Sequence, residues 1–393
     1  MRVVLNGLAA LKPKTGVGHH VADLAAALAA EFPADAFTLY PGGTLSRWVT
    51  KANRGGAGGA AKTRANRLRR WLGGVRAAGK VAAKAASGLH FQGYIRAYPF
   101  DLYHEPNFVP FRSHLPTVVT VHDLSVLKFP QWHPADRVTY HDRHFHRGLG
   151  LARHVIVVSE AVRRELITEL GLAPHRVTAV HNGVAPQFVP QPPEAVTAAR
   201  HELGLPERFF LCVGTIEPRK NLGTVVRAFA DLPPEVRSMC PLVLAGPWGW
   251  RSDAERQLFD DIGAPAGVRQ LGYVPARLLP ALYAAARVLL YPSYYEGFGL
   301  PPVEMLACGG AVIVSTDAAV REVVGPCGKA IPPDDLTGWR DAMRTAAEDE
   351  VFVNELKRGG PARAAEFTWT RAARETMAVY RTVLGLPPSA GAA

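Results

Sequence analysis

The chain has 393 residues, of which 48% are hydrophobic and 20% are charged, and this composition excludes disordered, collagen-like and disulfide-scaffold proteins. Its length is sufficient for two or three domains of roughly 100–200 residues each. The formal net charge is +11, which favours anionic ligands or surfaces as partners.

The cellular location is predicted from apolar runs and cysteines. No apolar run reaches the roughly 18–20 residues that a membrane-spanning helix needs. The first apolar run ends at Asn6 and Gly7, so it predicts a strand rather than a signal peptide, whose apolar region continues for about 7–15 residues. The cysteines lack C-x-x-C and metal-ligand spacing, which is typical of reduced thiols; they are Cys212, Cys240, Cys308 and Cys327. We therefore expect a cytoplasmic protein.

The first half of the chain alternates short apolar runs with helix-like stretches. An alanine-rich helix is predicted over Gly18–Ala30. The predicted strands are Val3–Leu5, Phe37–Tyr40, Leu102–His104, Thr117–Val121 and Val155–Val158. Such strands alternating with helices are typical of a parallel sheet covered on both faces. Ligands bind outside the carboxyl ends of the strands in these sheets, which is where His104, Asn107 and His122 would lie.

A basic stretch interrupts this pattern. Between Ala36 and Phe100 there is no Asp or Glu, and the chain carries twelve cations there: Arg47, Lys51, Arg54, Lys62, Arg64, Arg67, Arg69, Arg70, Arg76, Lys80, Lys84 and Arg96. They predict either contact with an anionic surface, such as membrane phosphate or nucleic acid, or a solvated insertion at about residues 44–96. Within it, Arg64–Val75 has the pattern of a basic amphipathic helix.

The pattern restarts after a proline-rich stretch, Pro186–Pro193, which predicts a linker. A helix is predicted over Leu222–Phe229, and an amphipathic helix, Thr370–Leu384, follows the last strand. The predicted strands are Phe209–Val213, Leu242–Ala245, Val268–Leu271, Val288–Tyr291 and Ala311–Val314. The fold class is therefore α/β, with predicted domains at 1–185 and 208–368, a linker at 186–207 and a final segment at 369–393.

Two carboxylates, Glu296 and Glu304, flank a Gly-Phe-Gly-Leu-Pro turn that leads into a predicted helix. Glu296 would follow a strand and Glu304 would lie in the first turn of the helix. One could then accept hydrogen bonds from sugar hydroxyls and the other from a ribose diol, while backbone N–H groups between them face an anion. The competing interpretation is a helix with an ordinary acidic first turn.

Arg219 and Lys220 follow the strand that enters Gly214, where the next helix begins. Two cations at a helix N-terminus are unfavourable unless an anion binds there. Arginine grips phosphate with two N–H groups and lysine adds a point charge, so a diphosphate is the natural ligand. The alternative is a pair of solvated surface cations.

Weaker candidates lie in the first half. Gly16 and Gly18 would let the backbone approach a phosphate, although a G-x-G pair also suits an ordinary tight turn. His122 would face a cleft, but a lone histidine is as readily structural. Three histidines of an Arg-rich stretch predict a solvated helix face rather than a zinc site, since no carboxylate or cysteine stands at zinc spacing; they are His141, His144 and His146.

Taken together, the motifs resemble the retaining GT-B glycosyltransferases of family four. The matching segments run in the family's order over nearly the whole chain, at residues 15–18, 121–124, 157–160, 181–184, 217–221 and 296–304. Residues 103–110 and 122–134 resemble the bacterial mannosyltransferase-like branch. The stretch from about residue 54 to 93 matches no motif of the family.

The resemblance implies two facing Rossmann-like domains with a cleft between them and a C-terminal helix that crosses back to the first domain. It implies that Arg219 and Lys220 hold the donor diphosphate without a metal, that Glu296 binds the donor sugar, and that Glu304 binds the ribose. His122 would contact the sugar near its anomeric carbon. Further donor contacts would come from Gly16, Gly18, Gly214, Gly297, Phe298, Gly299 and Leu300, and acceptor contacts from His104 and Asn107.

The resemblance implies retaining transfer of a hexose, with mannose from GDP-mannose as the expected donor, to a saccharide or lipid-linked saccharide. We expect a role in polysaccharide biosynthesis, no metal or other cofactor, and peripheral contact with the inner face of the cell membrane through Arg47–Lys84. Removing Glu296 is expected to spare free-nucleotide affinity. The alternatives are a GT-B epimerase or hydrolase of nucleotide sugars and a nucleic-acid-binding protein, the latter disfavoured because the basic stretch has few aromatic residues and no recognised module.

Overall fold

The computed structural model describes residues 1–11, 16–42 and 86–387. The predicted helix Arg64–Val75 and most of the basic insertion lie outside these residues. The described chain forms two six-stranded sheets whose strands are all parallel, one in the N-terminal half and one in the C-terminal half. The α/β class is therefore confirmed.

The strand order is β2-β1-β3-β4-β5-β6 in the N-terminal half and β12-β11-β10-β7-β8-β9 in the C-terminal half. The strands are β1 (Arg2–Asn6), β2 (Ala36–Tyr40), β3 (Leu102–Glu105), β4 (Thr117–Val121), β5 (His154–Val157), β6 (Val177–Ala179), β7 (Phe210–Val213), β8 (Leu242–Ala245), β9 (Arg269–Gly272), β10 (Val288–Tyr291), β11 (Val312–Ser315) and β12 (Lys329–Ile331).

The helices are α1 (Gly16–Glu31), α2 (86–97), α3 (Ser125–Lys128), α4 (Ala135–Leu151), α5 (Glu160–Thr168), α6 (Pro193–Leu203), α7 (Leu222–Ala230), α8 (Pro234–Met239), α9 (Asp253–Leu258), α10 (Ala264–Ala266), α11 (Leu279–Ala285), α12 (Leu300–Ala307), α13 (Ala318–Val324), α14 (Leu336–Glu348), α15 (Glu350–Lys357), α16 (Gly360–Ala364) and α17 (Trp369–Val383). Among the described helices, none combines the length and the apolar character needed to cross a bilayer.

Both faces of the C-terminal sheet are buried, which explains its uninterrupted apolar strands. Leu211 and Leu289 belong to one hydrophobic core, while their neighbours Phe210 and Leu290 belong to another. Alternate residues of a strand point to opposite faces, so each core covers one face of the sheet. Fully burying such a side chain contributes roughly 1.5–3 kcal/mol.

The described elements differ from the predicted ones at two edge strands and in the linker. The edge strands β6 and β12 were not predicted, because each has only three residues and is partly exposed. The other strands agree with the predicted ranges to within one residue at each end. The predicted linker at 186–207 contains helix α6, which begins at Pro193 and ends before Gly204 at φ 59°. Proline at the first helical position and glycine after the last explain this short helix.

The chain passes between the two halves twice, once near Val184 and again near Phe367, and these two crossings lie side by side. The backbone N–H of Val184 donates to the carbonyl of Phe367 at 2.9 Å. Helix α17 then packs against α1 of the N-terminal half, where Met377 and Tyr380 are fully buried. The predicted C-terminal helix that crosses back to the first domain is thereby confirmed.

Candidate active site

The carboxyl ends of β7 and β10 place the charged motifs of the C-terminal half side by side. These strands pair at the centre of the sheet. After β7 the chain passes Gly214, whose φ of 137° favours glycine, and forms a short 3-10 turn over Pro218–Lys220. After β10 it reaches Glu296. Neighbouring strand ends thus join residues 76 positions apart in the sequence.

Glu296 is shared by Arg219 and Lys220. The Nζ of Lys220 donates to Oε1 of Glu296 at 2.7 Å, and Nη1 of Arg219 donates to Oε2. A second carboxylate, Glu217, accepts from Nη2 of Arg219 at 2.8 Å. The side chains of Arg219, Lys220 and Glu296 are 14%, 13% and 8% exposed, so solvent ions screen these pairs weakly. The predicted residues form one buried charge network.

The charge of Glu296 is held by its neighbours. Burial alone would raise the pKa of this carboxyl, but Arg219 and Lys220 outweigh the effect and lower the pKa to about 2. The two cations lie in the 3-10 turn that precedes α7 and have carboxylate partners within the protein. The prediction that they require a bound anion is therefore corrected: Glu296 and Glu217 already compensate them.

Glu304 lies in the second turn of α12, one turn later than predicted. Its Oε2 accepts a hydrogen bond from the hydroxyl of Tyr283 at 2.7 Å. Burial raises the pKa of the Glu304 carboxyl to about 7. The two carboxylates of the motif thus differ, because Glu296 is ionised at neutral pH while Glu304 titrates there.

The glycines between these carboxylates are required by close packing and backbone geometry. A Cβ at Gly297 would lie 1.8 Å from the carbonyl oxygen of His122 in the other half. Gly299 has a φ of 106° immediately before Leu300 begins α12, a conformation that side chains rarely adopt. Phe298 is buried in the core of the C-terminal half. The loop that carries Glu296 therefore abuts the strand end that carries His122.

His122 is a neutral ring with a defined tautomer. Its Nε2 lies 2.8 Å from the carbonyl oxygen of Pro106, and since a carbonyl only accepts, Nε2 carries the hydrogen. Burial lowers the pKa of the imidazole, so at neutral pH its Nδ1 is an acceptor. Such a ring suits a hydroxyl group of a sugar.

His104 departs from its predicted place on the acceptor side. It is fully buried, with Nδ1 2.7 Å from the hydroxyl of Tyr380 and Nε2 2.8 Å from that of Thr120. Burial lowers the pKa of this imidazole to about 3. Both nitrogens are used within the protein, so His104 joins β3 to α17. Asn107 lies in the loop after β3 and is exposed, as an acceptor contact requires.

Helix α1 begins at Gly16, which is exposed, and Gly18 is buried. No described protein atom lies within 4 Å of a Cβ at Gly16, so packing does not demand glycine there. The predicted solvated helix face is wrong for His141, which is buried and stacks on Phe145 with ring centroids 4.2 Å apart. Burial lowers the pKa of His141 to about 4. His146, on the same helix, is exposed as predicted.

Tyr295 and Asp317 belong to the site although the sequence pattern did not predict them. The hydroxyl of Tyr295 accepts from the backbone N–H of Leu124 at 3.0 Å and donates to Glu165, which links the two halves. Asp317 accepts from the backbone N–H of Glu296 at 3.3 Å and caps α13. Tyr295 could have been predicted as a site residue, because it stands next to Glu296 in the sequence. Asp317 could not, because its sequence pattern is that of an ordinary helix cap.

Within residues 1–11, 16–42 and 86–387, no three His, Cys, Asp or Glu side chains are grouped so that they could hold a metal ion. Arg219 and Lys220 are cations that contact Glu296 directly.

Comparison with known proteins places this site in a family. The description "Glycosyltransferase Family 4" matches residues 14–188, and "Glycosyl transferases group 1" matches residues 196–363. The O-antigen chain mannosyltransferase B of Escherichia coli is 34% identical over 289 residues, which cover 73% of this chain and 76% of that protein. The serotype-specific mannosyltransferase WbdA of Escherichia coli is 30% identical over 227 residues, which are 56% of this chain but only 27% of that longer protein.

The fold likeness extends over the whole chain. Sucrose-phosphate synthase from Thermosynechococcus elongatus superposes with a TM-score of 0.70 at 22% identity, covering 98% of this chain and 99% of that one. At this identity the likeness concerns the fold alone. The two domain matches, the identity to mannosyltransferase B and the paired sheets agree: this chain belongs to the GT-B glycosyltransferases of family 4 and group 1, and it is a glycosyltransferase.

Proposed function

We propose that the enzyme transfers mannose from GDP-mannose, with retention of anomeric configuration and without a metal, to a saccharide or lipid-linked saccharide in polysaccharide biosynthesis. The proposal rests on the buried network of Arg219, Lys220 and Glu296, whose loop adjoins the strand end that carries His122. The choice of mannose is supported by two relatives that are mannosyltransferases by name.

Each charged group has a distinct task in this proposal. Arg219 and Lys220 stabilise the diphosphate, taking the role that a divalent metal has in other enzymes, because preorganised charges in a dry site stabilise a developing negative charge strongly. Glu296 accepts hydrogen bonds from hydroxyls of the donor sugar, and Glu304 accepts from the ribose. His122 accepts through Nδ1 from another sugar hydroxyl.

The proposed displacement occurs on one face of the sugar. The bond between the anomeric carbon and the phosphate oxygen breaks, the acceptor oxygen bonds to the anomeric carbon on the same face, and the acceptor proton passes to the leaving phosphate oxygen. Both oxygens of Glu296 are held by cations, so we do not assign it as a nucleophile. The protein contributes positioning and electrostatic stabilisation.

We propose a lipid-linked acceptor at the inner leaflet because of the basic segment Arg47–Lys84. Anionic headgroups attract polybasic segments by about 1 kcal/mol per nearby cation. In the adjacent helix α2, Leu89 is 70% exposed while Phe91 and Ile95 are buried, so an apolar side chain is also available. Co-sedimentation with anionic vesicles should weaken at high salt, and in a variant with Arg64, Arg67, Arg69 and Arg70 changed to Glu. Salt-insensitive binding, or none, would favour a soluble acceptor.

The central experiment incubates the protein with GDP- and UDP-sugars, each with and without a lipid-linked saccharide acceptor. We expect transfer from GDP-mannose, a product with the donor's anomeric configuration by NMR, and full activity in EDTA. An inverted product or strict dependence on Mg²⁺ or Mn²⁺ would contradict the proposed mechanism. Release of free sugar despite the acceptor would identify a hydrolase, and a changed nucleotide sugar would identify an epimerase.

A further inference from the structure

His20 is a buried residue of α1 with no assigned role. Its Nδ1 lies 2.8 Å from Oδ1 of Asn182, and because an amide oxygen only accepts, Nδ1 carries the hydrogen. Burial, and then His122, lower the pKa of this imidazole well below its usual value, so the ring is neutral. Its Nε2 is buried with no hydrogen-bond partner among the described residues. Among the described residues, the ring therefore makes its only hydrogen bond to Asn182.

The ring of His20 packs against the ring of His122. The centroids are 4.7 Å apart and the planes meet at 88°, an edge-to-face contact. On other sides, Nε2 of His122 donates to Pro106 and the ring contacts Phe108 at 5.7 Å. Together with Pro106 and Phe108, His20 therefore helps to set the plane of His122, and with it the direction of the Nδ1 lone pair.

His20 also touches both crossings between the two halves. Asn182 lies in the first crossing, and Trp369 of the second crossing contacts the ring of His20 at 5.7 Å. The crossings are in close contact with each other, since a Cβ at Gly183 would lie 2.2 Å from the backbone nitrogen of Trp369. A change in the relative orientation of the halves would therefore reach His20 directly.

We propose that His20 is a positioning residue, which orients the ring of His122 toward the donor sugar and ties that orientation to the two chain crossings. It acts through a hydrogen bond to Asn182 on one side and a ring contact with His122 on the other. The inference rests on the proposed role of His122 in sugar transfer. The competing explanation is that His20 only fills space in the N-terminal half.

Two substitutions separate the two contacts. His20→Phe keeps a ring against His122 but removes the bond to Asn182, whereas His20→Asn keeps a donor near the position of Nδ1 but removes the ring. The matched control is His154→Phe, because His154 is also a buried histidine of the N-terminal half but begins β5, at the amino end of its strand. Transfer is measured with the best donor for the wild type, together with free GDP affinity and thermal stability.

We expect His20→Phe and His20→Asn each to lower kcat by about 10- to 100-fold, as small misplacements of a reacting group do, with unchanged GDP affinity. His154→Phe should keep the wild-type kcat. The decisive comparison is in the His122→Ala background, where His20→Phe should cause no further loss, because residues that act as one unit are non-additive.

An equal loss in both backgrounds, or wild-type kcat in His20→Phe, would overturn the inference and leave the role of His122 intact. Full transfer by His122→Ala would overturn both. Loss of GDP binding in His20→Phe, or a drop in thermal stability that parallels the drop in kcat across both His20 variants, would show that His20 only supports the fold.

Discussion

The two walls of the cleft are built from different chemistry. In the C-terminal half, Arg219, Lys220 and Glu296 are charged groups held together by ion pairs. In the N-terminal half, His20 and His122 are neutral rings, because burial lowers the pKa of each. A charged wall suits a diphosphate that gains negative charge as it leaves, whereas a ring nitrogen suits hydroxyl groups. We therefore expect the charged half to stabilise the leaving diphosphate, while the sugar is contacted from both halves, by Glu296 and by His122.

The largest expected effect comes from breaking the charged wall. Lys220→Ala should lower kcat/KM by about 100-fold or more, the range seen when one group that stabilises a developing charge is removed. The matched control, Arg344→Ala, removes an exposed cation of α14 in the same half and should have no effect. Wild-type transfer by a folded Lys220→Ala protein would mean that the network of Glu296 does not carry the reaction.

The two carboxylates should respond in opposite directions. Glu296 neutralises the cations that meet the diphosphate, so Glu296→Gln should tighten free GDP binding by roughly 1 kcal/mol, about fivefold in Kd, while transfer falls. Glu304→Gln should weaken GDP binding, because it removes a charged acceptor for the ribose. Calorimetric titration measures both. A change of the same sign in the two variants would contradict this division of roles, whereas unchanged GDP affinity in Glu296→Gln would support the simpler expectation that Glu296 contacts only the sugar.

The raised pKa of Glu304, about 7, predicts a pH dependence. Below pH 7 the carboxyl is protonated and loses an acceptor, so GDP affinity should rise as the pH passes from 6 to 8. The free energy of unfolding should change in the opposite direction over the acidic range. Because the folded state holds this proton at a pH at which the unfolded chain has released it, Glu304 should lower stability as the pH rises from about 4.5 to 7. The pH dependence of GDP affinity and that of stability should both become weaker in Glu304→Gln. Unchanged pH dependence would show that other groups cause it.

The smallest expected effect comes from removing the Tyr295 hydroxyl, which joins the two halves of the protein. Tyr295→Phe removes the hydroxyl that accepts from Leu124 and donates to Glu165. The loss should destabilise the protein by about 1 kcal/mol, measured by urea unfolding, with little change in GDP affinity. Tyr273→Phe is the matched control, since Tyr273 is 74% exposed. Equal stability of the two variants would show that this contact does not hold the halves together.

Local pattern was sufficient for much of the fold and for the main motif residues. Strand β4 and helix α7 agree with their predicted ranges to within one residue, because buried parallel strands and amphipathic helices have periods that are visible in a short window. The Gly-Phe-Gly-Leu-Pro turn into α12 was likewise predicted, and the structure gives its Gly299 a φ of 106°. The edge strand β12 escaped prediction because three residues contain too little pattern.

The fold class, the order of the elements and the residue types at the strand ends could be predicted from the sequence, since these depend on neighbours along the chain. The pairing of the charged and polar groups depends instead on how the chain folds. Lys220 contacts Glu296, 76 positions away, so the predicted cations have a counter-charge within the protein. His104 contacts Tyr380, 276 positions away, so a residue expected to bind the acceptor forms a hydrogen bond in the core instead. Such pairings follow from the order of the strands and the path of the last helix, and desolvation then sets each pKa.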